Sequence, residues 1–259
     1  MALQALDYCP PVDIRFEDYA NAVLRRDQLA NPDDPHGYRN IMKNVFRKRG
    51  IAKSGADEEP DYSKFYCFDI ISVSTSATSV YHFLHKKRED LFIPKQQDII
   101  VETPYRANKV KRLYKRRPTE IIIQYTWREN VVLKGAQFGD FQGKTVSLMC
   151  GGTLVYDENG NLLHWFRKPG TEFRTGKSSR KAKENEKIEK KLGLKRREDL
   201  LIYIAQCIRN RTLRLKSGEG GVLDIWNPID VRETDDGLRL ELAPRLHPED
   251  ELKGEENGK

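Results

Sequence analysis

The chain has 259 residues, 38% of them hydrophobic and 33% charged, with a net charge of +7. That length holds one large domain or two small ones, and three Trp, ten Phe and eleven Tyr supply core-forming bulk despite the polar composition. No apolar run approaches the roughly 20 residues of a membrane-spanning helix, and residues 1–14 show no basic stretch followed by an apolar one, so neither a membrane partner nor a secretory signal is expected.

The four cysteines, Cys9, Cys67, Cys150 and Cys207, lie far apart, with no C-x-x-C pair and no His at zinc-ligand spacing. A disulfide framework and a structural zinc site are therefore not expected, and four reduced thiols fit a cytoplasmic protein. Charge is concentrated. Residues 105–118 hold seven Lys/Arg and no acid, and residues 174–197 hold eleven Lys/Arg against Glu184, Glu186 and Glu189. These two segments take 18 of the 46 basic and 3 of the 39 acidic residues, so the rest carries 28 basic against 36 acidic. Charge patterned in this way usually has a partner.

In chain order, residues 16–50 read as a helical hairpin. The first helix spans 16–29, and a Pro/Asp loop follows at 31–35. Asp34 is placed to cap the second helix, with Pro35 at its first position. Tyr38, Ile41, Met42, Val45 and Phe46 then fall at i, i+3, i+4, i+7 and i+8, one apolar stripe. Lys48 and Arg49 suit the last turn, and Gly50 supplies the left-handed stop. Residues 54–63 read as a linker, 65–73 as a short strand, and 77–91 as a helix with Val80, Tyr81, Leu84 and Leu91 on one side.

From residue 98 the period becomes two. Strands are expected at 98–103, 119–127 and 145–156. In the second of these Ile121, Ile123, Tyr125 and Trp127 share a face, with Ile122 breaking the pattern on the other. Gly151-Gly152 marks a bulge or a close backbone approach. Asn159-Gly160 turns the chain into a further strand at 162–166, so residues 98–166 form an antiparallel meander. The basic segment 174–197 is expected to be solvated and loosely ordered. Residues 198–213 read as a helix apolar almost all round, and therefore buried. After a break at 217–221, strands are expected at 222–226 and 231–242, the latter turning at Asp235-Asp236-Gly237. An acidic, disordered tail is expected at 246–259.

No motif for chemistry is complete. His82-x-x-His85 puts two rings on one helix face, but the spacing is one short of H-E-x-x-H and no Glu lies between them. Asp98, Glu102 and Glu120 lack the lysine of an Asp…Glu-x-Lys nuclease core. Cys150 in an alternating strand reads as core. Phosphate-loop, dinucleotide and nucleophile-elbow patterns are absent. No catalytic residue, metal ligand or cofactor is assigned. Tyr105, Arg106, Lys109, Lys111, Arg112, Tyr114, Lys115, Arg116 and Arg117 interleave rings with cations beside strands, as in surfaces that stack and neutralise single-stranded nucleic acid. The competing reading is a solvated loop.

The run Ala5-Leu6-Asp7-Tyr8-Cys9-Pro10-Pro11-Val12-Asp13-Ile14, then Asp18-Tyr19, Asp27, Asn31-Pro32-Asp33-Asp34, Tyr38-Arg39 and Phe46-Arg47-Lys48-Arg49-Gly50-Ile51, resembles the terminal helical part of gluzincin (thermolysin-like and fungalysin-like) metallopeptidases. Residues 151–157 and 163–168 are similar to a hairpin in an extension carried by some bacterial proteins of that kind. The zinc-binding helix and downstream Glu ligand of that family have no counterpart here, so no family site residue carries over. The resemblance implies the non-catalytic end of such an architecture, with a peptidase-like chain as partner.

The expected fold is α+β: a helical hairpin at 1–53, a domain at 54–245 whose antiparallel meander packs with helices, and the tail at 246–259. The expected function is a protein-interaction or accessory module, part or partner of a peptidase-like system. Its docking residues would be Phe16, Tyr19, Tyr38, Ile41 and Phe46, since something must cover that stripe; the competing reading is that they pack on this chain's own sheet. The alternative is a single-stranded nucleic-acid or RNA-binding protein acting through residues 105–118 and 174–197.

Overall fold

The computed structural model describes residues 5–51, 65–101, 105–107, 120–173, 180–210, 229–234 and 237–242, with backbone alone for 105–107, 181, 229–234 and 237–242. The linker at 54–63, the strand at 222–226 and the tail at 246–259 lie outside the described residues. The fold is α+β. Its helices are α1 (Phe16–Ala30), α2 (Tyr38–Lys48), α3 (Ile70–Val73), α4 (Ala77–Lys86) and α5 (Arg180–Arg209). Its strands are β1 (Ile100–Val101), β2 (Tyr105–Ala107), β3 (Glu120–Val132), β4 (Thr145–Asp157), β5 (Leu162–Lys168), β6 (Ile229–Thr234) and β7 (Gly237–Leu242). Two compact units emerge, Met1–Arg128 with Met149–Gly193, and Glu129–Leu148 with Leu194–Lys259.

In the first unit the expected antiparallel meander is present. Both β1 and β2 pair antiparallel with β3, at Val101↔Tyr125 and Tyr105↔Ile122. Strand β5 pairs antiparallel with β4, from Gly151↔Lys168 to Tyr156↔Leu162. The turn between them is tied by Asp157, whose carboxylate accepts from Asn159 N, Asn161 N and Asn161 Nδ2 at 2.8–2.9 Å. Gly160 takes the left-handed position there at φ +83°. Gly151 and Gly152 mark a close approach. A Cβ on Gly151 would lie 2.3 Å from the Tyr125 carbonyl oxygen, and one on Gly152 would lie 2.7 Å from the Tyr125 hydroxyl.

The clean alternation read in 119–127 and 145–156 needs correction, because both faces of these strands are buried. Ile122, which breaks the pattern, belongs to a cluster with Ala5, Tyr8, Cys9, Ala22 and Val155. The N-terminal segment and α1 thus cover the face that alternation would leave to water. The other face is covered by residues 65–92. Phe65 and Phe92 rings lie 4.9 and 6.2 Å from Trp165, Phe83 lies 6.2 Å from Tyr156, and the Tyr156 hydroxyl donates to Phe65 O.

Residues 65–73 do not form the expected strand. Asp69 accepts from Ser72 N at 3.3 Å and starts the one-turn α3 instead. Helix α4 begins at the Ser76 cap, as its Ser/Thr cluster implies, but ends at Lys86, five residues short of the expected bound. Helix α2 starts three residues after Pro35, behind a left-handed Gly37. Asp34 still caps it, reaching over the turn to Tyr38 N and Arg39 N at 2.9 and 3.0 Å. Its far end is as read. Gly50 stands at φ +67°, with Gly50 N donating to Arg47 O and Ile51 N to Phe46 O, the paired bonds of a Schellman motif.

The second unit holds the hairpin of β6 and β7, paired from Ile229↔Leu242 to Thr234↔Gly237; Asp235 and Asp236 of the expected turn lie outside the described residues. There β7 also pairs parallel with β4, from Thr145↔Arg239 to Ser147↔Glu241.

Helix α5 overturns two expectations. It begins at Arg180, so most of the basic segment is helical rather than loosely ordered. Its apolar half is not buried all round, since Ile202 and Tyr203 are exposed. The buried positions are Glu189, Gly193, Arg196, Leu200, Ile204 and Cys207, spaced four, three, four, four and three: a single helical stripe.

Candidate functional site

The helix pair is anchored from within the first unit. Arg26 of α1 is buried and donates to Glu120 Oε2 at 2.7 Å and to the Tyr8 hydroxyl at 3.0 Å, its guanidinium lying 5.0 Å from the Tyr8 ring centre. Arg25 donates twice to Leu163 O, at 3.1 and 2.6 Å. Asp18 accepts from Arg15 N at 2.7 Å, which caps α1, and also holds the ammonium of Lys168 on β5. Tyr19, Val23 and Leu29 pack on the Ile122 cluster. Tyr8 stacks on His164 with ring centres 5.5 Å apart. Burial, with Arg25 adding to it, pushes the His164 imidazole down to about 3. Burial likewise raises the Tyr8 hydroxyl and takes the Cys9 thiol up to about 11, so neither offers a nucleophile near neutrality.

Helix α2 is fastened at its first turn by Arg39. This side chain pairs with Asp27 Oδ2 at 3.1 Å and donates to the carbonyls of Asn31 and Pro32. Arg39, Met42 and Phe46 are half-buried, whereas Tyr38, Ile41 and Val45 are 60, 55 and 40% exposed. None of α2's residues is fully buried. Phe16, at the first position of α1, is 82% exposed. The proposed docking residues therefore divide. Phe16, Tyr38 and Ile41 face solvent together with Val45, Phe46 is half-covered, and Tyr19 packs on this chain's own core. Arg39, which sets the stripe's orientation, was not legible as an anchor, because its partners come from the preceding helix and loop.

Of the proposed nucleic-acid residues, Tyr105 and Arg106 lie on β2, opposite Ile122 and Ile121. Lys109, Lys111, Arg112, Tyr114, Lys115, Arg116 and Arg117 lie outside the described residues. His82 and His85 are exposed, each with its ring 5.9 Å from that of Tyr81. Glu120 is engaged by Arg26, Asp98 is exposed, and Glu102 lies outside the described residues. Among the described residues no group of three or more His, Cys, Asp or Glu is placed to hold a metal ion, and no helix is long and apolar enough to cross a membrane. No protein-family model, curated protein or solved structure matches this chain.

Proposed function

We propose that this chain is a non-catalytic interaction module that docks, through α2, on a gluzincin-like peptidase chain in the cytoplasm. The observation that carries this reading is an amphipathic helix with no buried residue: Tyr38, Ile41 and Val45, at i, i+3 and i+7, are exposed on an element whose ends are both capped. Such a stripe is the anchor pattern of a helix laid into an apolar groove. Exposed Arg47, Lys48 and Arg49 follow it, and no acid occurs from Tyr38 to Arg49, so the groove's rim is acidic. The likeness of residues 5–51 to the terminal helices of gluzincin peptidases names the partner class.

The test is capture from the native host by the full chain and by its Tyr38→Ser/Ile41→Ser/Val45→Ser variant. A retained chain that carries the H-E-x-x-H helix and is lost with the variant is the expected result. Retention of the same chain by both proteins, or by neither, would overturn the reading.

A further inference from the structure

The first half of α5 carries a second surface, independent of α2. Opposite its buried stripe at Glu189 and Gly193 stand Arg180, Lys183, Lys187 and Lys191, all exposed. Spacings of three, four and four residues keep the four side chains within an arc of about 80°, over a length of about 16 Å. The acids of this segment do not offset them as composition implies. Glu189 is buried and holds Arg167 at 2.8 Å through Nε. Glu186 pairs with Lys190 at 2.8 Å. That leaves Glu184 as the exposed acid beside the row, and the first turn of the helix has none. A segment that reads as eleven cations against three acids thus presents a nearly single-signed row outward.

We infer that this row binds the phosphate backbone of a nucleic-acid duplex. Duplex DNA carries one negative charge per about 1.7 Å of axis, so a straight row about 16 Å long meets several phosphates at once. No aromatic residue occurs from 180 to 195, which removes the stacking platform that a single strand needs and leaves sequence-independent backbone contact. A membrane surface fits less well. An interfacial helix sinks a continuous apolar face with Trp, Phe or Leu into the bilayer. Here the inward stripe is already covered, with Gly193 so close to Gly170 that a Cβ would lie 1.9 Å from its carbonyl oxygen. Ile188 and Leu192 are exposed to one side of the row and Leu194 just past its end, with no exposed Trp or Phe among them and no continuous apolar face.

The experiment measures binding of the full chain to a labelled 30-base-pair DNA duplex across 50–200 mM salt, beside a Lys183→Gln/Lys187→Gln/Lys191→Gln variant whose melting is checked first. The expected results are a loss of affinity on the order of a hundredfold at 100 mM salt and a log–log salt slope shallower by about 2.7, since each phosphate contact contributes about 0.9. An Arg47→Gln/Lys48→Gln/Arg49→Gln variant, which removes the same charge from α2, should keep the wild-type slope. The inference is overturned if the α5 variant binds like the wild type or if both variants lose affinity equally. Tighter binding of the single strand than of the duplex overturns it too, as does association with anionic vesicles alone or no binding at 50 mM salt.

Discussion

Arg26 and Glu120 meet at 2.7 Å with both side chains almost wholly out of water. An ion pair in that setting gains little against a well-packed apolar pair, but breaking it strands a charge. Arg26→Met should therefore destabilise the protein by about 3–5 kcal/mol. Arg26→Met/Glu120→Leu should recover most of that loss, as read by urea unfolding, and a double variant no more stable than the single one would contradict the account. His164 makes a second residue-scale prediction. Its site resists protonation, so the folded value near 3 lies below the ordinary 6.5. The unfolded chain then binds the extra proton between these limits. The contribution is full above about pH 6.5 and is lost as pH falls toward 3, at up to about 1.4 kcal/mol per pH unit. Between pH 7.5 and pH 5 the wild type should lose about 2 kcal/mol more than His164→Phe, which keeps a ring against Tyr8. Equal losses in the two proteins would refute this.

At the scale of elements, α5 makes a prediction whose sign opposes helix propensity. Ala is favoured over Gly inside a helix by about 1 kcal/mol, yet a Cβ at Gly193 would meet the Gly170 carbonyl. Gly193→Ala should lower stability by about 1–3 kcal/mol, the usual cost of overpacking, and a raised melting temperature would show that α5 sits farther from residues 169–171. The same helix shows why some elements were not legible. Its buried stripe runs through Glu189, Gly193 and Arg196 before it reaches Leu200, so no hydrophobic period announces the first half. Residues 198–213 read as buried almost all round because apolar side chains from Leu200 to Ile208 stand on both sides of the stripe. By contrast, Asn159-Gly160 and Lys48-Arg49-Gly50 define a hairpin and a helix end through local backbone chemistry, and both are found where the sequence puts them. Segment 65–73 failed because a short apolar run carries less information than the Asp69 cap that precedes it. In the candidate site, the spacing of Tyr38, Ile41 and Val45 was legible. Their exposure was not, since an amphipathic helix has the same pattern whichever surface covers it.

For the molecule as a whole, the side chains that stabilise the first unit and those proposed to bind are different sets. Stability rests on residues such as Ile122, Val155 and Trp127, each almost wholly removed from water and worth about 1.5–3 kcal/mol of transfer free energy. Phe16, Tyr38, Ile41 and Val45 contribute little of that kind, because much of their surface is already wet. Substitutions at such positions usually change stability by no more than about 0.5 kcal/mol each. The Tyr38→Ser/Ile41→Ser/Val45→Ser variant should then keep the wild-type circular dichroism and melt within a few degrees of it, while losing its partner. The two readouts separate the explanations. If this chain's own residues cover the stripe, the triple variant exposes a former core and its melting temperature drops by about 10 °C or more. If a partner covers it, the isolated variant is as stable as the wild type, and the difference emerges only in the complex, where loss of three central apolar anchors should weaken binding by a hundredfold or more, about 2.7 kcal/mol. A large drop in melting temperature in the purified protein would therefore end the docking proposal without the partner having to be found.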